Sequence, residues 1–210
     1  MFAQWSKLKQ RLEIAFPLAI AIFAALLALN DLLGGKYGDD EIKLSNARNN
    51  SYQWYQAKGI KGTILEGQIE LIDVLKASGS LAVDKVPVMD ELKAGLTKKI
   101  KRYDQEKKEI LVGSSQLKAE EWMQEVDGKL GQVIGGKEYD AYLLTLGDAG
   151  NQFDLASMLY QLCMVLGAVG IVVHRESIKW TFFHLTLSTG VTGALFSAYG
   201  LWIAIKVPEL

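Results

Sequence analysis

Few side chains in this sequence have the types and the spacing that catalysis or metal binding requires. Residues 131–137 (GQVIGGK) match the GxxxxGK pattern of a phosphate-binding loop. Glu138 follows, however, where such a loop needs a Ser or Thr for Mg²⁺, and no apolar strand precedes it. His174 and His184 are not at i and i+4, the spacing of a helical metal site. We interpret residues 131–137 as a helix break, and we expect no enzyme, no cofactor and no metal site.

The remaining candidates for chemistry are one cysteine and one pair of glutamates. Cys163 is the single cysteine, so no disulfide forms within the chain, and its apolar neighbours are typical of a buried, unreactive thiol. Glu120 and Glu121 are adjacent, so on a helix their carboxylates would point in different directions and make a poor acid/base pair. A formal net charge of −1 gives no electrostatic reason to expect nucleic-acid binding.

Charged residues are concentrated in the middle of the chain. Residues 36–148 hold 17 of the 23 Lys and Arg residues, and residues 39–148 hold 19 of the 24 Asp and Glu residues. Outside this region lie three apolar stretches of the ~20 residues that span a bilayer as a helix. A soluble fold would need charge on a wet face of every element. The pattern therefore predicts an all-α membrane protein with three transmembrane helices and a long helical hairpin between the first and second.

The apolar stretches and their flanks divide the chain into seven predicted segments. They are an amphipathic, basic segment at residues 1–13, transmembrane helix 1 at 14–33, a charged helical hairpin domain at 34–152, transmembrane helix 2 at 153–173, a short basic turn at 174–179, transmembrane helix 3 at 180–205 and a tail at 206–210.

The basic residues beside the predicted spans indicate a topology. Lys7, Lys9 and Arg11 precede helix 1, and Arg175 and Lys179 lie in the turn, on the same side of a three-span protein. The positive-inside rule then predicts a cytoplasmic N-terminus and an extracytoplasmic hairpin domain. The first apolar run is long and no small-x-small cleavage site follows it, which favours a retained anchor over a cleaved signal peptide.

The hairpin domain shows two helical patterns separated by Pro87. Apolar residues three or four apart run from Ile42 to Leu75 and from Leu92 to Val133. Breaks are expected at residues 34–38 (GGKYG), before the first pattern, and at residues 147–151 (GDAGN), in a further helix.

Two helices of about 40 residues would make a coiled-coil-like hairpin about 60 Å long. One such hairpin is too thin to bury its apolar stripes alone. We therefore predict contacts with other helices, from copies of the same chain, through Trp54, Tyr55, Leu92, Ile110 and Trp122.

Small residues recur at spacings of three and four in each predicted span. Such stripes allow helices to approach closely in lipid, and a face with Thr186, Gly190, Gly193 and Ser197 would also suit a pore. We favour packing, because no charged residue lies in the middle of a span. The residues predicted to pack are Ala21, Ala24, Ala28, Gly167, Gly170, Gly190, Gly193, Ser197 and Gly200.

Three short motifs carry a family resemblance. They are Trp54-Tyr55-Gln56-Ala57-Lys58-x-Ile60-Lys61, Arg102-Tyr103-x-x-Glu106-Lys107 and Phe153-Asp154-Leu155-Ala156. These motifs resemble those of a bacterial family of unknown function, DUF4337, and the resemblance covers most of the chain. It implies a multi-pass protein of the bacterial cytoplasmic membrane with helices between its spans, and it transfers no activity and no functional residue.

Together these features predict a non-enzymatic membrane protein that acts as a self-assembling scaffold or docking subunit with a coiled-coil-like arm. Its predicted partners are the lipid bilayer and copies of itself. The alternatives are a channel or transporter subunit with a pore lined by small residues, and an accessory subunit that binds another membrane protein.

Overall fold

The computed structural model describes residues 2–208, with the side chains of residues 13–208. Within that range the chain forms four α-helices and one short β-hairpin. They are α1 (Phe2–Ala77), α2 (Val86–Val112), β1 (Glu125–Val126), β2 (Lys129–Leu130), α3 (Gly136–Val172) and α4 (Glu176–Ala204). The predicted amphipathic character of residues 1–13 lies outside the described side chains, except for Glu13.

Among the described residues, three helices are long and apolar enough to cross a membrane. They lie at Glu13–Ala77, Gly136–Val172 and Glu176–Ala204, with mean hydropathies of 2.1, 2.0 and 1.2 over their most apolar windows. The predicted class, all-α with three candidate spans, is confirmed. The chain divides into two compact units, which we call the bundle unit (Met1–Ile42 and Leu143–Leu210) and the hairpin unit (Lys43–Tyr142).

Both predicted helix breaks at glycine-rich segments are wrong. Helix α1 continues through residues 34–38, and α3 continues through residues 147–151. A glycine inside a helix costs only about 1 kcal/mol relative to alanine. Packing offsets that cost in both places, since Gly34 lies against the Phe153 ring and Ala149 is fully buried.

In the bundle unit, α3 runs antiparallel to both α1 and α4. Phe16 near the start of α1 contacts Gly170 near the end of α3, and Gly200 near the end of α4 lies against Gln152. Apolar side chains from all three helices form the core of the unit. They are Ala19, Phe23, Ala156, Tyr160 and Cys163, with Leu26, Leu27, Ala194 and Phe196 packed around them.

In the hairpin unit, the last part of α1 packs antiparallel against α2. Gly79, in the left-handed region at φ 66°, lies just beyond α1, and Pro87 occupies the first turn of α2. The inward positions of both helices alternate by three and four residues, the spacing of coiled-coil packing. The residues at these inward positions, all buried or half-buried, are Ser51, Tyr55, Lys58, Gly62, Leu65, Ile69, Ile72 and Lys76 on α1, and Val86, Met89, Lys93, Leu96, Ile100, Tyr103, Lys107 and Ile110 on α2.

The second arm of the hairpin is shorter than predicted. Helix α2 has 27 residues, or about 40 Å at the usual rise, because Gly113 follows it at φ 90°. Residues 114–135 form turns and the β-hairpin, so the helical pattern predicted up to Val133 is wrong. The turn between β1 and β2 is Asp127-Gly128, with φ of 50° and 75°. This Asp-Gly pair is a strong hairpin signal that the helical interpretation overlooked.

Candidate functional site

The glycine-rich segment and the titratable side chains were the first candidates for chemistry. Among the described residues, no group of three or more His, Cys, Asp and Glu side chains could hold a metal ion. Other atoms of the chain fill the space beside the glycines of residues 131–137. A Cβ atom on Gly135 would lie 2.1 Å from the Gly113 nitrogen, and Gly136 lies beneath the Tyr52 ring. This segment therefore closes the hairpin unit and leaves no cradle for a phosphate.

A buried carboxylate organises the turns after α2. Glu109 is fully buried and accepts hydrogen bonds from the Ser114 hydroxyl (2.7 Å) and from the backbone N–H groups of Met123 (2.7 Å) and Gln124 (2.8 Å). The Ser114 hydroxyl in turn accepts one from the Val133 N–H at 3.0 Å. Sequence analysis missed Glu109, because spacing alone does not reveal which of many acidic residues is buried.

The first two family motifs meet between α1 and α2. The buried Glu106 accepts from Lys58 Nζ at 2.5 Å and from Arg102 Nε at 2.7 Å. Lys58 Nζ also lies 5.4 Å from the centre of the Tyr103 ring. On the same seam, Lys107 Nζ lies 5.3 Å from the centre of the Tyr55 ring. The motif residues thus interlock two helices, which is a structural role.

One tyrosine of this unit has a shifted pKa. The Tyr52 hydroxyl donates to the Asp140 carboxylate at 2.7 Å. This hydrogen bond, followed by burial and the Asp140 charge, raises the pKa of Tyr52 above its ordinary value, while Arg48 acts in the opposite direction. The pair links α1 to the start of α3 within the hairpin unit.

The residues predicted for contacts with other copies fall into two groups. Ile110 is fully buried within its own unit. Trp122 packs on Gly131 and donates from Nε1 to the Ser114 carbonyl at 3.0 Å. These two side chains therefore make contacts within the hairpin unit, and their contacts with other copies stay a prediction. Trp54 and Tyr55 are half-buried, and Leu92 is 50% exposed on α2.

The hairpin unit leaves a second apolar stripe on α1 uncovered. Each residue of this α1 stripe lies two positions after an inward residue, a rotation of about 200°, so it faces away from α2. The stripe consists of Ile60, Ile64, Leu71 and Val74, which are 62%, 56%, 58% and 62% exposed. On α2, a shallow groove (the α2 groove) is lined by Val88, Glu91, Leu92, Gly95, Leu96 and Lys99.

In the bundle unit, glycines of α3 and α4 receive large side chains of α1. Cβ atoms on Gly170 and Gly190 would lie 2.4 Å from the Phe16 ring and 2.3 Å from the Phe23 ring. One on Gly167 would lie 2.7 Å from Ile20. Because these three glycines have no side chain, they leave space that side chains of α1 fill.

The other predicted residues of α4 lie against α3. A Cβ atom on Gly193 would approach Tyr160 to 3.3 Å, and one on Gly200 would approach Gln152 to 3.1 Å. Ser197 is half-buried, and Thr186 is fully buried. Helices of the same chain thus pack against the face considered for a pore.

The alanine stripe predicted for the first span makes little contact inside the bundle unit. Ala21 and Ala28 are exposed and Ala24 is half-buried, so helix packing through this stripe stays a prediction. Close packing against the small residues of α3 and α4 requires large side chains on the facing helix. On α1 these are phenylalanines and not alanines.

A polar cluster joins α1 to the third family motif. The buried Asn30 donates from Nδ2 to the Phe153 carbonyl and to the Ser157 hydroxyl, both at 2.9 Å. Ser157 donates onward to Asp31 at 2.7 Å. The Phe153 ring stacks on Tyr37, with their centres 6.0 Å apart. Asn30 was not predicted from the sequence.

The comparisons with known proteins agree with the resemblance seen in the motifs. The profile of one family, described as Domain of unknown function (DUF4337), matches residues 12–203. No curated protein matches the chain. No solved structure matches it. The family profile covers most of the sequence, and the chain belongs to the DUF4337 family.

Proposed function

We propose that this chain is a non-enzymatic membrane scaffold that assembles with copies of itself through its hairpin units. The observation that carries the proposal is the α1 stripe, four large apolar residues more than half exposed at helical spacing. A thin, charged hairpin gains no solubility from such a stripe, and contiguous exposed apolar surface marks protein–protein contact. Covering it with another helix removes that surface from water.

The α2 groove of a neighbouring copy fits the stripe. Within one hairpin unit Asp73 pairs with Lys93, and Lys76 pairs with Asp90. These pairs place Leu71 and Val74 of the stripe at the height of Gly95 and Leu92 of the groove. Copies held by the same bilayer share one orientation, so the stripe of one copy meets the groove of the next at equal height. Head-to-tail contacts of this kind generate rings or open arrays.

The proposed location is the bacterial cytoplasmic membrane, with the N-terminus inside and the hairpin unit outside. Its support is the excess of basic residues before the first span and in the turn at residues 174–179. A cysteine replacing the exposed Ser80, in a Cys163→Ala background, tests the topology. We expect a membrane-impermeant maleimide to label it in intact cells; labelling only after the cells are broken would reverse the orientation.

The assembly is tested by the particle mass of the full chain in detergent. We expect Ile64→Glu with Leu71→Glu to lower the mass towards that of one chain, because two charges would enter the apolar contact. Thr97→Glu is the matched control, since it adds a charge to an exposed residue of α2 outside the α2 groove. If the double variant kept the wild-type oligomeric mass, the stripe would not be the assembly surface.

A further inference from the structure

The outward faces of the three candidate spans differ in polarity. From Ile14 to Leu29 every exposed residue of α1 is apolar, as expected of a face in contact with lipid tails. Helix α3 exposes Gln161 in the middle of its apolar segment, and α4 exposes Ser188 and Thr192 on the side away from its packed glycines. Polar side chains at membrane depth ordinarily face protein. The faces of α3 and α4 that carry them are therefore candidates for covering by another helix.

The hydrogen-bonding groups on these two faces are complementary. Thr192 donates to the Ser188 carbonyl at 2.8 Å, and Ser188 donates to the Leu185 carbonyl at 3.1 Å. Each hydroxyl therefore donates its one proton within α4, and its oxygen can still accept a hydrogen bond from another helix. The Gln161 amide has two N–H donors and no hydrogen-bond partner among the described residues. An amide left unpaired in hydrocarbon costs several kcal/mol.

The two faces also lie at the same depth. Helices α3 and α4 are antiparallel, and the contacts Gly167–Thr186, Tyr160–Gly193 and Gln152–Gly200 fix their register. In that register Gln161 is level with Val191 and Thr192. One bilayer holds every copy at one depth, so Gln161 of one copy lies level with Thr192 of its neighbour.

We propose that a second copy of this chain docks in the membrane by placing α3 against α4 of its neighbour, with Gln161 donating to the hydroxyl oxygens of Thr192 and Ser188. This inference rests on the self-assembly proposed above and names its membrane contact. A symmetric pairing of two α4 helices would leave Gln161 against lipid, whereas the head-to-tail contact covers both polar faces at once.

The test is disulfide crosslinking between two differently tagged copies expressed in one cell, both with Cys163→Ala. One copy carries Gln161→Cys and the other Thr192→Cys, so a crosslinked product with both tags joins different chains. We expect this product on oxidation, because the proposed contact brings the two positions together. A disulfide forms only between Cβ atoms about 4 Å apart, so distant positions would give none. The matched control replaces Gln161→Cys with Ile22→Cys, an exposed residue of α1 at similar depth, and should give none.

The remaining outcomes separate this inference from the proposed function. Crosslinking of Thr192→Cys to itself, or no Gln161→Cys product from a particle of oligomeric mass, would overturn the α3–α4 contact and leave self-assembly standing. A single-chain mass for the wild type would overturn both. Without cysteines, Gln161→Leu is expected to raise the dissociation constant of the oligomer roughly three- to tenfold, and an unchanged constant would also contradict the contact.

Discussion

The bundle unit and the hairpin unit are held together by different forces. In the bundle unit, Phe16 and Phe23 fill the space beside Gly170 and Gly190, and close side-chain packing holds the helices together. In the hairpin unit, Glu106 and Glu109 are buried and fully supplied with donors. Lipid offers no hydrophobic drive for helices to associate, so close packing must supply it. In water, apolar burial is available, and buried carboxylates with partners can fix the register of two helices.

This difference predicts that the hairpin unit fails when a hydrogen-bond partner is removed. The largest effect is expected for Glu109→Ala, which leaves the N–H groups of Met123 and Gln124 and the Ser114 hydroxyl without their acceptor. We expect a loss of roughly 3–5 kcal/mol, measured as faster amide hydrogen exchange across residues 113–135 of the full chain. Glu120→Ala, which removes an exposed carboxylate of the same segment, is the control. Unchanged protection in Glu109→Ala would show that the buried carboxylate does not hold these turns.

The bundle unit should instead fail when volume is added. Gly190→Leu drives a side chain into the Phe23 ring, and we expect a loss of about 3 kcal/mol in the unfolding free energy in detergent. Phe23→Ala should recover part of it by making room. Gly150→Leu is the control, because nothing lies within 4 Å of a Cβ at that glycine. Equal losses for both leucine variants would argue against the proposed fit of ring and glycine.

A smaller effect is expected where one of two cations is removed. Lys58→Met leaves Glu106 with Arg102 alone, and we expect a loss of about 2 kcal/mol. Combining it with Glu106→Leu removes the buried charge and should restore most of that stability. The measurement is thermal unfolding of the full chain in detergent. Additive losses in the double variant would contradict a buried pair between these helices.

The smallest effect is expected for Tyr52→Phe, at about 1 kcal/mol. The pKa of Tyr52 is raised in the folded state, chiefly by its hydrogen bond to Asp140. The stabilisation is therefore fully present below the ordinary tyrosine pKa of about 10 and is lost as the pH rises through the higher folded-state pKa. The free energies of unfolding of the wild type and of Tyr52→Phe should differ at pH 8 and become equal in strong alkali. A difference that persists there would assign the effect to packing.

Apolar segregation along the sequence was enough to predict the class and the three candidate spans. Spacing also picked out Gly170 and Gly190, but it could not show that their counterparts on α1 are Phe16 and Phe23. The helix breaks predicted at residues 34–38 and 147–151 are wrong, because glycine weakens a helix only slightly and packing outweighs that cost.

The buried polar groups were beyond the reach of sequence analysis for a different reason. Glu106 and Glu109 lie in a run of alternating charges, where only the path of the neighbouring chain decides which carboxylate is enclosed. The Asn30 amide nitrogen likewise donates to Phe153 and Ser157, which are more than 120 residues away. The Asp127-Gly128 turn, in contrast, was readable from the sequence, since the pair favours positive φ at both positions.

The measurement that tests self-assembly most directly is the mass of the unmodified full chain in lipid nanodiscs, over a range of lipid-to-protein ratios. We predict a defined multiple of the 23.2 kDa chain that persists when lipid is in excess. A mass of one chain under all conditions would contradict the scaffold and both of its proposed contacts.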